Sequence, residues 1–325
     1  MIYKYIAIIC ILMFISSCTS TNPSYIDIKK IRTGTDGISM VFLPQGDIPM
    51  MEEESRTVSV QLKNDGAFDV GHMYFLLGTE SDYVTLGKTY FNGGEGKQED
   101  KQGQLTTYLP ENLFKGKSLK TVVGDYAEYD AELTTKKITL SKYQDTLLSA
   151  ILCYEYGTVA EDEVCIQPSV SVIGLQAACV PKDLTFSSQG APLVVNKVEV
   201  KSTLTTNKQI KTLFKIYFEN KGIGDVLNWN TGRLVCSSKP MGEEKIWNYF
   251  IMAAFLGDKE IECRVPKTTV LGDSYWLVRL KGGKAEVVCE STSPSGVAYT
   301  TPFTVKAFYD YTQTLTKKLT IERTS

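Results

Sequence analysis

The chain of 325 residues has few of the features on which catalytic sites are built. It contains a single histidine, His72, and no G-x-S-x-G, H-E-x-x-H or P-loop motif, so no nucleophile with its base and no nucleotide cradle can be assigned. Its 35 basic and 37 acidic residues give a net charge of −2, without the basic excess of nucleic-acid-binding proteins. We therefore expect a non-enzymatic protein without catalytic residues, cofactor, metal site or nucleic-acid partner.

A long apolar run is also missing. Residues Ile6 to Ile15 form an apolar stretch of ten residues, about half of the ~20 that a membrane-spanning helix needs. Lys4 precedes this stretch and two serines follow it, which predicts a secretory signal peptide. Ordinary cleavage near its end, an uncleaved short anchor and lipid attachment at Cys18 are the alternatives.

The end of this leader favours the last alternative. Ile15-Ser-Ser-Cys18 resembles the lipobox of bacterial lipoproteins, which implies that Cys18 carries a diacylglycerol anchor. On that interpretation residues 1–18 are the signal peptide and the polar residues 19–24 a tether. We expect a location at the cell surface or elsewhere outside the cytoplasm, with a membrane partner reached through the N-terminal lipid.

Sustained helical periodicity is hard to find, whereas strand-forming residues are plentiful. Eighteen tyrosines and many valines and threonines occur in short alternating segments between turn signals. We predict a hairpin of Tyr275–Leu280 with Ala285–Glu290 across a Gly282-Gly283 turn. A second hairpin, turning near Val159, is predicted to join Leu147–Tyr156 to Glu163–Ile166. The pattern indicates an all-β protein of β-sandwich type.

Two segments repeat in the same order along the chain. Val58–Val70 (VSVQLKNDGAFDV) matches Phe214–Val226 (FKIYFENKGIGDV) at an offset of 156, and Leu152–Tyr156 (LCYEY) matches Ala307–Tyr311 (AFYDY) at an offset of 155. The near-constant offset predicts two homologous domains, at 25–168 and 185–325, with a junction at 169–184.

The repeated strand ending in Asn-x-Gly, with Asp-Val after it, resembles the immunoglobulin-like CARDB domains of bacterial and archaeal surface proteins. Tyr309-Asp310-Tyr311 and Leu319-Thr-Ile321 are similar to the end of paired immunoglobulin-like domains in archaeal envelope proteins. The resemblance implies two tandem immunoglobulin-like β-sandwich domains, and it implies no activity.

Cysteine spacing argues against zinc and for disulfides. No C-x-x-C occurs, and an even number of cysteines follows the leader of an exported chain. These cysteines are Cys153, Cys165, Cys179, Cys236, Cys263 and Cys289. The predicted hairpin would pair Cys153 with Cys165, and neighbouring strands would pair Cys263 with Cys289. Cys179 and Cys236 would then form the third bond, with the overall pairing left open.

A few polar and aromatic residues are candidates for function. Glu155 and Asp310 occupy matching positions of the repeat, which favours a structural role over catalysis, although an enzyme with an unrecognised carboxylate pair stays as a third hypothesis. Asp69 and Asp225 are expected to cap turns rather than bind calcium. Trp229, in a polar stretch, is the candidate ligand contact.

Trp247 and Trp276 are assigned to the core. The leading hypothesis is an exported, membrane-anchored, non-enzymatic envelope protein acting as a spacer, adhesion or assembly element. Its partners would be an envelope protein or glycan, or a second copy bound through edge strands. The alternative is a carbohydrate- or ligand-binding protein that uses loops of the second domain.

Overall fold

The described part of the chain forms three β-sheets, in which every strand pair but one is antiparallel. The computed structural model describes residues 31–92, 114–139, 141–168, 179–236, 246–270, 272–293 and 297–324. It also describes three short strands by their backbone, at 94–95, 98–100 and 104–108. The leader and Cys18 lie outside the described residues. Among the described residues, no helix is long and apolar enough to cross a membrane.

Two outer sheets of five strands each come from the two halves of the chain. The first outer sheet has the order β1 (Ile38–Leu43), β3 (Ser55–Asn64), β9 (Tyr126–Thr135), β5 (Val84–Phe91), β6 (Gly94–Glu95). The second outer sheet has the order β11 (Leu184–Thr185), β12 (Leu193–Leu204), β13 (Ile210–Asn220), β20 (Lys284–Ser293), β17 (Glu262–Cys263). Burial alternates along their strands, as in sheets with one face on a core.

The central sheet has eleven strands and draws on both halves. Its main order is β18 (Lys267–Val270), β19 (Asp273–Arg279), β15 (Tyr249–Leu256), β21 (Tyr299–Glu322), β10 (Tyr143–Ile166), β4 (Met73–Thr79), β8 (Gln104–Tyr108), β7 (Gln98–Asp100). β14 (Asp225–Leu227) and β2 (Ile48–Met51) pair with β21, and β16 (Lys259–Glu260) pairs with β15. One short helix, α1 (Gly232–Cys236), is described.

The predicted all-β class with two tandem immunoglobulin-like β-sandwiches is confirmed. Each outer sheet packs its apolar face towards the central sheet, and a single cluster of buried apolar side chains runs through both halves. The two sandwiches therefore share one sheet, and they are fused along it rather than connected only by a linker.

The predicted hairpin at Val159 is wrong. β10 is one strand of 24 residues, and it pairs over its whole length with β21, from Tyr143 opposite Glu322 to Ile166 opposite Tyr299. The segment around Val159 contains no pair of turn-forming residues. The ladder with β21 gives each of its residues a partner, which a local hairpin of half that length does not.

The Gly282-Gly283 turn is confirmed, but the hairpin around it is not. Both glycines have positive φ, at 58° and 75°, the backbone conformation that this turn requires. Only Lys281 and Lys284 bridge across it. Beyond the bridge β19 enters the central sheet and β20 the second outer sheet, so the turn joins the two layers of one sandwich.

Candidate functional site: the centre of the paired long strands

The two repeated motifs meet at the middle of the long ladder. Glu155 lies opposite Asp310, Tyr154 opposite Tyr311 and Tyr156 opposite Tyr309. Because the motifs are equivalent and the strands run antiparallel, a local two-fold axis passes between Glu155 and Asp310. Side chains alternate between the faces of a strand, so the tyrosines share one face and the two carboxylates share the other.

The tyrosine face connects the long strands to the repeated Asn-x-Gly turns. Tyr156 Oη donates to Asn64 Oδ1 at 3.3 Å and accepts from Phe68 N at 3.4 Å. In the other half Tyr311 Oη donates to Asn220 Oδ1 at 3.2 Å and accepts from Gly224 N at 2.8 Å. Each asparagine also donates across its own turn, to Phe68 O or Gly224 O. The repeated residues therefore form the same hydrogen-bond network twice.

The other two tyrosines follow the same symmetry. Tyr154 Oη accepts from Ile38 N at 3.1 Å, and Tyr309 Oη accepts from Leu193 N at 3.3 Å. All four rings are buried. Burial raises the pKa of the Tyr154 and Tyr309 hydroxyls well above the ordinary value, and it raises that of Tyr311 to about 12. These hydroxyls act as neutral hydrogen-bonding groups that hold the strands of the outer sheets.

The carboxylate face carries a buried acid. Asp310 is only 2% exposed, and its Oδ2 accepts from Gly232 N at the start of α1. Its Oδ1 has no hydrogen-bond partner among the described residues. Burial, with a smaller contribution from the charge of Glu155, raises the pKa of Asp310 to about 7. Like charges opposite each other on paired strands destabilise a sheet, so protonation of Asp310 removes its repulsion with Glu155.

Glu155 and His72 form the accessible part of the same face. His72 Nδ1 lies 2.9 Å from Glu155 Oε2, and the histidine side chain is 56% exposed. Glu155 N also donates to His72 O. Asp310 is covered by α1, so this trio does not present two carboxylates to a common cleft, as glycoside hydrolysis requires. No group of three or more His, Cys, Asp or Glu side chains in the described part is placed to hold a metal ion.

Three disulfides are present among the described residues, and two of the three predicted pairings are wrong. The bonds join Cys153 to Cys236, Cys165 to Cys179, and Cys263 to Cys289. Only the last of these pairings was predicted. Cys263 and Cys289 lie directly opposite each other on the paired strands β17 and β20. Cys153 and Cys165 are twelve residues apart on one straight strand, about 40 Å at ~3.3 Å per residue, so they cannot bond. The three bonds indicate an oxidising compartment outside the cytosol.

The tryptophans only partly follow the sequence assignments. Trp229 is half-buried, and its ring lies edge-on to Phe308 at 5.8 Å; its role as a ligand contact stays a prediction. Trp276 is in the core, as predicted. The assignment of Trp247 to the core is wrong, because its side chain is 44% exposed. Trp247 bridges to Leu227 by its backbone, and its neighbour Asn248 has a positive φ of 64°.

The described surface contains two concavities large enough to describe as possible binding sites. A cavity of about 110 Å³ lies beside Tyr154 and Tyr311 and is bordered by Ile223; ligand pockets usually measure ~300–1,000 Å³. A wide depression of about 600 Å³ on the second outer sheet is lined by Lys197, Glu199 and other charged residues. Lys197 already pairs with Asp183 and Glu199. Neither concavity supplies the apolar enclosure typical of a small-molecule site.

Comparisons with known proteins give only distant similarities. No family model and no curated protein matches the chain. Domains D2 and D3 of the major pilin SpaD from Corynebacterium diphtheriae align over 78% of this chain and 74% of that chain, with 9% identity and a TM-score of 0.25. A type I cohesin–dockerin complex from Clostridium thermocellum aligns over 38% and 85%, with 11% identity and a TM-score of 0.27. The C-terminal domain of Streptococcus agalactiae BspA aligns over 89% and 100%, with 8% identity and a TM-score of 0.20. These similarities are too distant to carry an argument about function.

Proposed function

We propose that the protein is a non-enzymatic element of the cell envelope, attached to a membrane through Cys18, and that it acts as a stiff spacer or assembly module. The observation that carries this proposal is the ladder of 24 residue pairs between β10 and β21. A spacer must keep its two ends at a fixed separation, and a ladder that runs through both sandwiches leaves no flexible joint between them.

Further contacts between the halves reinforce the ladder. β2, from the first half, runs parallel to the end of β21, with Ile48 opposite Leu319. Ala67 N donates to Gly190 O at 2.8 Å, and the Gln313 side chain donates to Ile38 O. The Cys153–Cys236 bond fixes α1 of the second half onto β10. Domains joined by a small interface are expected to move relative to each other. The contacts between these two halves oppose such motion.

The chemistry of the described surface supports a binding role over catalysis. The buried acid on the symmetry axis is covered, and the accessible His72–Glu155 pair has no nucleophile assigned beside it. Trp229 packs on Phe308 rather than standing free, which weakens the carbohydrate-binding alternative. Partner recognition through loops or sheet edges is the mode that fits such a scaffold.

The shared ladder is tested by cutting the chain between its halves. A protease site is inserted between the exposed residues Val180 and Pro181 in a variant that also carries Cys153→Ser and Cys236→Ser. After cleavage, we expect the two fragments to elute together from a sizing column in native buffer and to separate in urea. Fragments that separate in native buffer would show that the halves are independent, and the spacer proposal would fail.

The anchor is tested separately by intact-mass analysis of the protein from membranes. We expect a diacylglycerol mass on the mature chain and its absence in Cys18→Ser. The same spectrum, with and without reductant, reports the three disulfides. An unlipidated wild-type chain would remove the anchor and leave the spacer test unaffected.

A further inference from the structure

The loop from Lys115 to Asp125 (KGKSLKTVVGD) is a structured projection of the first half. Asp125 N donates to Lys115 O at 2.8 Å, and Lys115 N donates to Asp125 Oδ2 at 2.9 Å, so the two ends of the loop are joined. At its foot Lys117 N donates to Gly66 O at 2.8 Å, and at its tip Ser118 N donates to Thr121 O at 2.7 Å. The loop therefore has a defined shape.

The tip of this loop is apolar and exposed. Leu119 is 49% exposed, Val122 66% and Val123 63%, and Tyr126, directly after the loop, is 71% exposed. Three lysines surround these side chains: Lys115, Lys117 and Lys120. None of the three forms an ion pair with another residue of the described part. The charge of Lys117 also acts on the carboxyl of Asp65, so the loop combines aliphatic side chains with the positive charges of Lys115 and Lys120 on one small projection.

The second half shows that the fold does not need this loop. Lys63 of β3 pairs with Tyr126 of β9, and the equivalent Glu219 of β13 pairs with Lys284 of β20. At the last residue of β3, Asn64 N donates to Asp125 O, directly before β9; at the last residue of β13, Asn220 N donates to Gly283 O, directly before β20. The second half makes the same connection with the tight Gly282-Gly283 turn. The eleven residues of the first half therefore add an exposed apolar tip that the connection between the strands does not itself require.

The loop also lies beside the point where the N-terminal segment enters the fold. Lys117 is bonded to Gly66, and the adjacent Asp65 N donates to Gly37 O at 2.9 Å. Gly34 O, three residues earlier, accepts from Gly190 N at 3.0 Å. A chain held at Cys18 has the fifteen residues 19–33 to reach this point, which span at most about 50 Å when fully extended, so an anchored protein keeps the loop within that distance of the membrane.

We propose that the Lys115–Asp125 loop binds the surface of an anionic lipid bilayer. Leu119, Val122 and Val123 would enter the interfacial layer, while the lysines contact lipid phosphates. Tyrosine is a side chain that favours the membrane interface, and Tyr126 borders the tip. The exposed aliphatic side chains beside lysines favour an anionic bilayer over a protein, whose binding usually centres on aromatic or arginine anchors. The proposal rests on the proposed function only for the presence of a membrane within reach.

The test is co-sedimentation with vesicles of phosphatidylcholine alone and of phosphatidylcholine with phosphatidylglycerol in a ratio of about seven to three. All proteins carry Cys18→Ser, so no acyl chain contributes, and all share one N-terminus. We compare the parent with a Val122→Asp and Val123→Asp double variant. The matched control is an Ile223→Asp and Val297→Asp double variant, which adds the same two charges at side chains that are 92% and 61% exposed outside the loop.

We expect the parent and the control to bind the anionic vesicles with equal affinity, and the double variant to bind at least about tenfold more weakly. Changing Lys117 and Lys120 to Gln should abolish the preference for anionic lipid. In a Leu119→Trp variant, tryptophan emission should shift to shorter wavelength on binding. Equal binding by the double variant and the control would overturn the proposal. So would a parent that binds neither kind of vesicle.

Discussion

Replacement of Asp310 by Asn should make the protein more stable at neutral and alkaline pH. Asp310 is buried and its Oδ1 lacks a partner among the described residues, so its ionised form is disfavoured in the folded state. Burial raises its pKa from 3.8 to about 7. Asn keeps an oxygen that can accept from Gly232 N, and it carries no charge at any pH.

The size of the effect follows from the two pKa values. Between pH 3.8 and 7 the folded protein binds a proton at Asp310 that the unfolded chain has released, so this group stabilises the fold at low pH and loses that contribution as pH rises. Each pKa unit corresponds to about 1.4 kcal/mol. From pH 5 to pH 8 the loss amounts to about 2.5 kcal/mol. In this range the carboxylates with lowered pKa, such as those of Glu52 and Asp145, stay ionised.

The assay is urea unfolding of the disulfide-intact protein from pH 5 to pH 8, for the wild type, Asp310→Asn and the control Asp225→Asn. Asp225 is exposed at the start of β14, so its variant removes one charge without removing a buried acid. We expect the free energy of unfolding of Asp310→Asn, relative to both other proteins, to rise by about 2.5 kcal/mol between pH 5 and pH 8. Parallel curves for all three proteins would refute the assignment of a buried, titrating Asp310.

Three further predictions concern the packing around the same centre. Gly66→Ala should lower the free energy of unfolding by more than about 3 kcal/mol, because an added Cβ would lie 2.5 Å from Gly190 O and 2.6 Å from Asp36 O. Its control is Gly71→Ala, whose Cβ would lie 3.8 Å from Glu155 Oε2 and which should change the free energy of unfolding in urea by less than about 0.5 kcal/mol. Changing Cys153 and Cys236 together to Ser should lower the unfolding free energy by on the order of 4 kcal/mol, since the bond spans 83 residues; an unchanged thermal midpoint would contradict this. Tyr311→Phe should cost about 1–3 kcal/mol in urea unfolding, because Asn220 Oδ1 and Gly224 N each lose a partner, and a neutral result would show that the network adds no stability.

Local patterns in the sequence were sufficient for the strands and for part of the repeat. Alternating apolar residues predicted strands at Val58–Leu62 and Phe214–Phe218. The first segment lies in β3 and the second in β13. The matching Asn-x-Gly and Tyr-x-Tyr segments were visible as a repeat, and the structure shows why both are kept: Tyr156 bonds Asn64 and Tyr311 bonds Asn220. Strand periodicity and turn formation depend on residues that are close together in the chain, so they can be predicted from a single sequence.

The choice of strand partner is not local, and it accounts for the failures. The sequence of Tyr143–Ile166 is compatible with a complete hairpin or with one long strand. The long strand forms because β21 of the other half is available to pair along its whole length. The same pairing separates Cys153 from Cys165 along one strand and brings Cys236, 83 residues away, against Cys153. The exposure of Trp247 likewise depends on which elements surround it rather than on its neighbours in sequence.

The sequence by itself thus determined that the chain is all-β, that it is repeated, and that its cysteines are suited to disulfides, because these properties depend on composition and on spacing within a segment. The tertiary structure alone decided that two sandwiches share one sheet, that Glu155 faces Asp310, and that a loop with a lysine-bordered apolar tip replaces a two-residue turn. Those facts arise from hydrogen bonds and packing between residues up to about 270 positions apart along the chain, and such contacts form only when distant segments are brought together by folding.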